Sequence, residues 1–494
     1  MKNKRKNIII LLILILLLTL GIGVTYAIFK WTSSNSDITF NIEGCYVTYD
    51  AGSDITGASL GPALSKDDTN NVLSKKITLS PECSGVTASL TLKVNEIAPE
   101  LKHTSFIWSL YEGDTKVSNG NFADATTNKV YTLLSTKTLT ENTTTTYTLY
   151  IYIDGTVDND SSMGGKSFKF TLGASGENAL YKEPTAAEFV QHLDDGTSGN
   201  DGSGVYKVEH DAIASSDSAS GWDIPAITDY RYYGPHPNNY ICLDMEEQST
   251  CPDRGLFRII GSIYEENAET NLIKVIKATP LTDGTTNSFS WDYEVFRGNA
   301  TSENIWNGST IKKLLNGIYL TRESGSYYNY STTATTIDFA NTGLTENAKK
   351  LINWSRYTLG GYSDLDLYTS DIYLAERGKT TSSGNGLTWY GEIGLIYISD
   401  VAYTAGNYCT ATRKPYNYNG SISTCTIKTW FYSESAGMTM TPRASATDSV
   451  WAFYNYADYY RTDYYSTIRP VFYLKSKASI TGGTGTEQDP YTVK

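Results

Sequence analysis

Apolar and polar residues alternate over several stretches in the first third of the chain. In "VTASLTLKVN", Val86, Ala88, Leu90, Leu92 and Val94 fall on one side, and Thr87, Ser89, Thr91 and Lys93 on the other. "YTLYIYI" repeats the pattern with Tyr147, Leu149, Ile151 and Ile153, "FKFTL" with Phe168, Phe170 and Leu172, and "FIWSL" with Phe106, Trp108 and Leu110. Successive side chains of a strand point to opposite faces, so each stretch predicts a half-buried strand. Several such strands between Gly, Asn and Asp clusters predict a β-sandwich over residues 30–175.

Beyond residue 175 the pattern changes. "PTAAEFVQHL" sets Ala187, Val190 and Leu193 on one side of a short helix, with Thr185 in the N-cap position. The polar runs "DDGTSGNDGSG" and "ASSDSASG" then read as flexible, so residues 176–228 are expected to be a linker carrying that helix. "DGTSGND" and "DGTVDND" (154–160) read as turns, because both lack the alternating ligands and closing Glu of an EF-hand.

Periodicity returns at Asp229. "LFRIIGSI" and "LIKVIKAT" predict buried strands joined by an acidic turn at 265–269. "STIKKLLNGIYL" spaces Ile311, Leu314, Leu315 and Ile318 for a helix capped by Ser309, and "TENAKKLINW" predicts another capped by Thr345. "EIGLIYISDVAYT" and "IRPVFYLKS" read as strands, and "ITGGTGTEQDPYTV" as a Gly-rich hairpin. The expected fold class is mainly β: an N-terminal β-sandwich, then an irregular α+β domain pinned by disulfides over 229–494.

The first residues bear on compartment. Lys2, Lys4, Arg5 and Lys6 precede an apolar run from Ile8 to Leu18, followed by "TLGIGVTYAIF". This predicts a signal peptide over 1–27, with Thr25 and Ala27 at −3 and −1 of a cut after Ala27. The 22 largely apolar residues 8–29 are also long enough for an uncleaved anchor in the cytoplasmic membrane. Both readings export the remainder, to the cell surface or beyond. Six cysteines fit that compartment, and their locality suggests the pairs Cys45–Cys83, Cys242–Cys251 and Cys409–Cys425, although six formally allow fifteen connectivities. The four histidines (His103, His192, His210, His236) sit near none of these pairs, so neither a metal nor another cofactor is expected.

Charge narrows the partners. The chain of 494 residues carries a net −13 with a pI near 4.9. Leaving out the four basic residues at the start, 36 basic against 53 acidic side chains give −17. Such a surface repels phosphate backbones, which argues against nucleic-acid binding. No G-x-S-x-G, H-E-x-x-H, Walker-A or dinucleotide fingerprint is present in the sequence. His236 stands between Pro235 and Pro237 and reads as a rigid exposed loop residue. The chain is therefore expected to be no enzyme, although paired carboxylates keep a glycan-acting enzyme open as a weaker alternative.

The segment "WAFYNYADYYRTDYYSTIRPVFYLKS" (451–476) holds seven tyrosines. Phe453, Tyr456, Tyr460 and Tyr464 recur at helical steps, but that stripe ignores Tyr454, Tyr459 and Tyr465. A strand would place the pairs 459–460 and 464–465 on both of its faces. Loops and short strands would form a surface, as antibody paratopes do, where Tyr offers a large area with few torsions to freeze. Ile468, Val471, Phe472, Tyr473 and Leu474 are expected in a closing strand limited at its start by Pro470. Burying every ring would leave hydroxyls needing partners at about 1–3 kcal/mol each, so a partly exposed face is favoured. Its candidate ligand-binding residues are Tyr454, Asn455, Tyr456, Asp458, Tyr459, Tyr460, Arg461, Asp463, Tyr464 and Tyr465. Plain packing against the Tyr-rich stretch 357–403 is the competing reading.

Three resemblances add to this. The signal ending "GVTYAIFKW" and the closing strands "TTTYTLYIYIDG…GKSFKFTLGA" resemble the camelysin/TasA-type exported proteins of Gram-positive bacteria, which implies a matrix-fibre subunit or a released surface protein. "DYRYYGPHPNNYICL…CPDRGLFRIIGSI", "WNGSTIKKLLN", "GEIGLIYISDVAY" and "IRPVFYLKSKASITGGTGTEQDPYTV" resemble a recurring extracellular domain of gut-dwelling Gram-positive bacteria, with a faint C-type-lectin-like cast that implies a loop-rich binding face. "YNYADYYRTDYY", built from residues reachable from asparagine codons, is similar to the diversified segment of lectin-like variable proteins. The function expected is an exported adhesin or receptor-type binding module. Its expected ligand is a glycan or a host or cell-surface protein, with self-association as a fibre or matrix subunit as the alternative.

Overall fold

The computed structural model describes residues 27–28, 38–41, 46–52, 59–157, 161–163, 165–177, 180–182, 184–194, 196–197, 199–200, 202–244, 250–293, 303–329, 331, 333–418, 425, 428–431, 437–453 and 456–494. The chain divides into two compact units, Met1–Glu183 and Pro184–Lys494. Of the expected signal or anchor, residues 1–26 lie outside the described set, and Ala27 opens the two-residue strand Ala27–Ile28 paired with Ser59–Leu60.

In the first unit the alternating stretches become strands of two sheets. One sheet has the order Val130–Thr138, Thr87–Ile97, Phe168–Glu177, Ile38–Asn41. The other runs Leu180–Lys182, Tyr46–Asp50, Leu73–Pro81, Thr145–Asp154, Phe106–Glu112, Thr115–Asn121, with the short Pro62–Ala63 alongside Thr145–Asp154. Ala88, Leu90, Leu92 and Val94 of the first sheet and Tyr147, Leu149 and Ile151 of the second are all fully buried in a single cluster. This is the sandwich that the period-two pattern predicts: each sheet turns one face inward and leaves residues such as Thr87, Thr91 and Thr148 partly exposed on the other. Each fully buried Leu or Ile there contributes roughly 1.5–3 kcal/mol.

The second unit is built on a larger sheet. Its central strand, Leu256–Glu265, pairs along one edge with Thr270–Lys277, which in turn pairs with Val471–Tyr473. The other edge is shared by Tyr240–Cys242 and Ile227–Tyr233, and Gly204–His210 lies outside the latter. Tyr491–Val493 adds in parallel to Tyr240–Cys242 and forms a hairpin with Ile480–Gly482, as the Gly-rich stretch predicts.

Helices cap this core where the sequence places them. Thr185 accepts from the Glu188 amide in a capping box that opens Ala186–His192. Ser309 caps Thr310–Lys313, which continues as the π-helical Leu314–Tyr319, and Thr345 caps Glu346–Leu351.

Two expectations change. Residues 184–228 do not form a loose join: the strand Gly204–His210 lies inside the "linker" and pairs over seven residues with Ile227–Tyr233. Its few apolar letters sit between Gly- and Ser-rich runs, and Val205 and Tyr206 are buried only through tertiary packing. The stretch "EIGLIYISDVAYT" is not a strand throughout. Ile393, Leu395, Ile396 and Tyr397 are buried in an extended run with one bridge at Gly394, and Ile398–Tyr403 is a helix. Partners beyond the run override its β-propensity, because the Asp400 carboxylate is drawn onto two buried cations.

Disulfides join Cys242 to Cys251 and Cys409 to Cys425 with Cα separations of 5.8 and 5.7 Å. Cys83 is disulfide-bonded as well, and Cys45 lies outside the described residues. Closing a loop of this size removes about 3 kcal/mol of freedom from the unfolded chain. The double change Cys409→Ala/Cys425→Ala is expected to lower stability to denaturant by about 3 kcal/mol. Unfolding by urea, followed by tryptophan fluorescence, checks this; an unchanged midpoint would refute a stabilising role for the bridge.

Candidate functional site

The tyrosine-rich segment forms the last part of a three-stranded antiparallel meander, Gly437–Pro442, Ser449–Phe453 and Ala457–Arg461, followed by the short strand Tyr465–Ser466. Ser449–Phe453 is buried along its whole length, since Val450, Trp451, Ala452 and Phe453 each have no exposed surface. Ala457–Arg461 lies at the edge of this meander and alternates. Ala457 is buried, Tyr460 packs half-buried on the main core, and Tyr459 and Arg461 are exposed. The described part of the segment is therefore strand and turn rather than helix.

Among the described residues of the segment, three tyrosines are exposed: Tyr459, Tyr464 and Tyr465, at 39%, 47% and 59%. Tyr456 is half-buried with its ring edge-on to Tyr416 at 6.0 Å, and Tyr473 is buried in the closing strand. Tyr454 and Asn455 lie outside the described residues. The expected closing strand is present as Val471–Tyr473, directly after Pro470, with Ile468, Val471, Phe472 and Leu474 fully buried.

The exposed side chains are held from below. The Tyr459 ring meets Trp451 edge-on at 6.1 Å, and the Arg443 guanidinium lies 3.6 Å from its centroid. Trp451 stacks on Tyr362 at 4.1 Å and donates Nε1–H to the Tyr362 carbonyl at 2.9 Å. Arg461 is clamped by Asp463, with Nε to Oδ1 at 3.0 Å and Nη2 to Oδ2 at 2.9 Å. Asp463 is itself buried, so this fork is anchored at its base. Asp458 is half-buried and accepts from the Tyr459 amide at 2.8 Å. Ser290 pairs with Tyr465 and donates its hydroxyl to the Asp463 carbonyl at 3.0 Å, fixing the turn between them. Tyrosines whose torsions are already restrained lose less freedom on binding, which suits a recognition surface.

A second group of residues went unnoticed in the sequence. Arg231 lies between two carboxylates, Nη2 to Asp229 Oδ2 at 2.7 Å and Nη1 to Asp400 Oδ1 at 2.8 Å. Lys274 Nζ donates to Asp400 Oδ2 at 2.6 Å, and His210 Nε2 lies 3.1 Å from Asp229 Oδ2. Every one of these side chains is buried. Beside them, the Glu376 carboxylate accepts from the hydroxyls of Ser399 and Thr441.

Burial alone would raise Asp229 and Asp400, but the neighbouring cations overcome it. Arg231 and the His210 bond hold Asp229 far below the usual carboxylate range, and Lys274 with Arg231 brings Asp400 to about 2. Burial pushes Glu376 up and Lys274 down. Desolvation also lowers His210, against the pull of Asp229, so the imidazole is neutral at neutral pH and donates to that carboxylate.

Tyr403 separates this network from a cleft of about 420 Å³ that Tyr206, Glu209, Ser370 and Asn407 also line. Its ring lies 4.6 Å from the Arg231 guanidinium and 5.8 Å from the His210 imidazole. The network joins strands to the Ile398–Tyr403 helix and acts as a structural bolt. The signal in the sequence was charge inside apolar runs, Lys274 in "LIKVIK" and Asp400 in "YISDVAY".

Because folded His210 resists protonation, the unfolded chain takes up the proton first. Stability is then lost as pH falls below about 6.5, the ordinary histidine value. His210→Gln, which keeps an N–H donor toward Asp229, is expected to lose less stability than the native chain between pH 7.5 and pH 5.5. Asp400→Asn should cost about 3–5 kcal/mol at pH 7.5 by stranding Lys274 and Arg231. Denaturation midpoints at the two pH values check both, and parallel losses in the native chain and His210→Gln would dismiss the titration account. Comparisons of the chain with protein-family models, with curated proteins and with solved structures find no match.

Proposed function

We propose that this chain is an exported, surface-associated binding protein, of adhesin or receptor type, and that its tyrosine-bearing meander is the ligand face. The observation that carries the reading is the split of the tyrosines. Tyr459, Tyr464 and Tyr465 stand in solvent beside Arg461, while Asp463 and Trp451 beneath them are buried and fixed. Exposed aromatic rings gathered on one rigid face and rimmed by polar groups mark interaction sites. Rings of this kind stack on sugar faces and on apolar side chains, and a clamped guanidinium offers directed donors at their edge. A glycan or a protein patch on another cell is the ligand class that this chemistry fits. Export rests on the basic and apolar residues at the start of the chain and on its disulfides.

The triple change Tyr459→Ala/Tyr464→Ala/Tyr465→Ala is expected to reduce binding on a glycan and cell-surface-protein array at least tenfold, or about 1.4 kcal/mol. Thermal unfolding should shift by only a few degrees, because all three rings are exposed. Equal loss of binding and of fold would mean that the rings serve packing, and undiminished binding would move the ligand face elsewhere.

A further inference from the structure

The strand Gly204–His210 is outermost in the sheet of the second unit and pairs, among the described strands, only with Ile227–Tyr233. That pairing shows which backbone groups its other edge presents. The Thr228 carbonyl accepts from the Asn271 side-chain amide at 2.8 Å, and the Tyr232 carbonyl from Trp430 Nε1 at 3.0 Å. The Tyr230 carbonyl turns to Gly261 of the central strand, against the space a Cβ there would fill. All three carbonyls therefore point away from Gly204–His210. Opposed residues of an antiparallel pair alternate between bonded and non-bonded. Val205, Lys207 and Glu209, which face Tyr232, Tyr230 and Thr228, accordingly turn their amides and carbonyls outward.

Among the described residues, none of these outward backbone groups makes a hydrogen bond. They recur at every second residue over about 13 Å, the spacing that another extended chain would satisfy. Many edges are defended by a lone lysine. Here Lys207 is neutralised by Glu209 on the same face of the strand, with Nζ to Oε1 at 2.6 Å.

The edge also opens into a preformed cleft, the one of about 420 Å³ beside Tyr403, a volume suited to a short peptide. Residues 206–209 line it from the strand. Ser370, Tyr403, Thr410 and Ala411 line it from the helices Thr369–Arg377, Ile398–Tyr403 and Asn407–Thr412. These parts are fixed to one another. Tyr206 donates its hydroxyl to the Tyr403 carbonyl at 2.9 Å, and its ring meets Tyr233 edge-on at 5.1 Å. The Asn407 amide donates to the Gly199 carbonyl at 2.9 Å, tying the last helix to the loop before the strand. Tyr403 is 5% exposed, and among the described residues its hydroxyl makes no hydrogen bond.

We propose that this edge binds an extended peptide, which adds a strand to the sheet through its backbone. Alternate side chains of the peptide fall on the Tyr206 and Val208 side, in the cleft, where Thr410 and Ala411 suit small apolar groups. The others fall beside Lys207 and Glu209, which Glu and Lys would complement. The occupant is a peptide rather than a sugar, because the free donors and acceptors carry the repeat of a backbone. The helices beside the edge favour one thin chain over the edge strand of a second folded copy. The site shares no residue with the tyrosine face and is independent of it.

Titration calorimetry of the full chain with the peptide acetyl-Lys-Val-Glu-Val-Thr-amide tests this. Run antiparallel, that peptide sets its Lys opposite Glu209 and its Glu opposite Lys207. Saturable binding is expected. N-methylation at its Glu and Thr, whose amides would face the edge, should weaken binding at least about tenfold, and N-methylation at its two Val residues should not. Lys207→Pro removes one outward donor without breaking a bond to Ile227–Tyr233, and Ala411→Trp fills the cleft from an exposed position. Each should weaken binding at least about tenfold while thermal unfolding shifts by only a few degrees. Tyr465→Ala should leave binding unchanged. No saturable binding, equal loss from both methylation patterns, or native affinity in both variants would overturn the proposal. So would a dimer that grows with concentration in sedimentation and is abolished by Lys207→Pro, since it would assign the edge to a second copy.

Discussion

The second unit depends on a salt-bridged cluster sealed from water. Arg231 comes from one strand of the sheet, Lys274 from another, and Asp400 from a helix more than a hundred residues further along the chain. Carrying any one of these charges into the interior alone would cost several kcal/mol, so each is tolerable only when its partners are in place. Such a cluster specifies geometry more than it adds stability. The Ile398–Tyr403 helix is held at one position across the strands, because sliding it would expose a bare charge to a dry interior. The closing strand of the tyrosine-rich segment joins the same sheet. Lys274 lies on the strand that pairs with Val471–Tyr473, inside that segment, and Asp229 receives the amide of Tyr264.

The sandwich was legible in the sequence because its chemistry is local. Alternation places Leu90, Leu92 and Val94 on one face whatever the rest of the chain does, and a sheet needs little more than that face to choose its inner side. Helix starts were legible for a similar reason: Thr185, Ser309 and Thr345 each satisfy an amide within three residues. Residues 392–403 were misread because their apolar run is silent about period. A continuously buried segment reads alike as strand or as helix, and the helix starts where Asp400 must reach distant cations. The strand Gly204–His210 was hidden by the glycines and serines around it.

The tyrosine segment divides between the competing readings. Tyr473 and half of Tyr460 belong to packing, as do Tyr357, Tyr362, Tyr373 and Tyr397 in the stretch expected to receive them. Tyr459, Tyr464 and Tyr465 do not. Adjacent letters such as Tyr459 and Tyr460 serve opposite purposes because a strand turns them to opposite sides. Counting tyrosines therefore overstated the surface, and the register of one edge strand decides which rings any partner can touch. The meander offers exposed rings beside a strand that is buried along its whole length.

One connection in the sheet bears on how the unit is made. Tyr491 lies beside Ile241, a partner 250 positions earlier, and the two run in parallel. A polymer emerging in order from a ribosome or a translocation pore cannot form that contact until almost the whole unit has passed through. Until then the strand Tyr240–Cys242 has an unfilled edge, open to pairing with the wrong neighbour. Native assembly of this unit is accordingly a late event in biosynthesis, and chaperones that shield β-edges would have their longest task here.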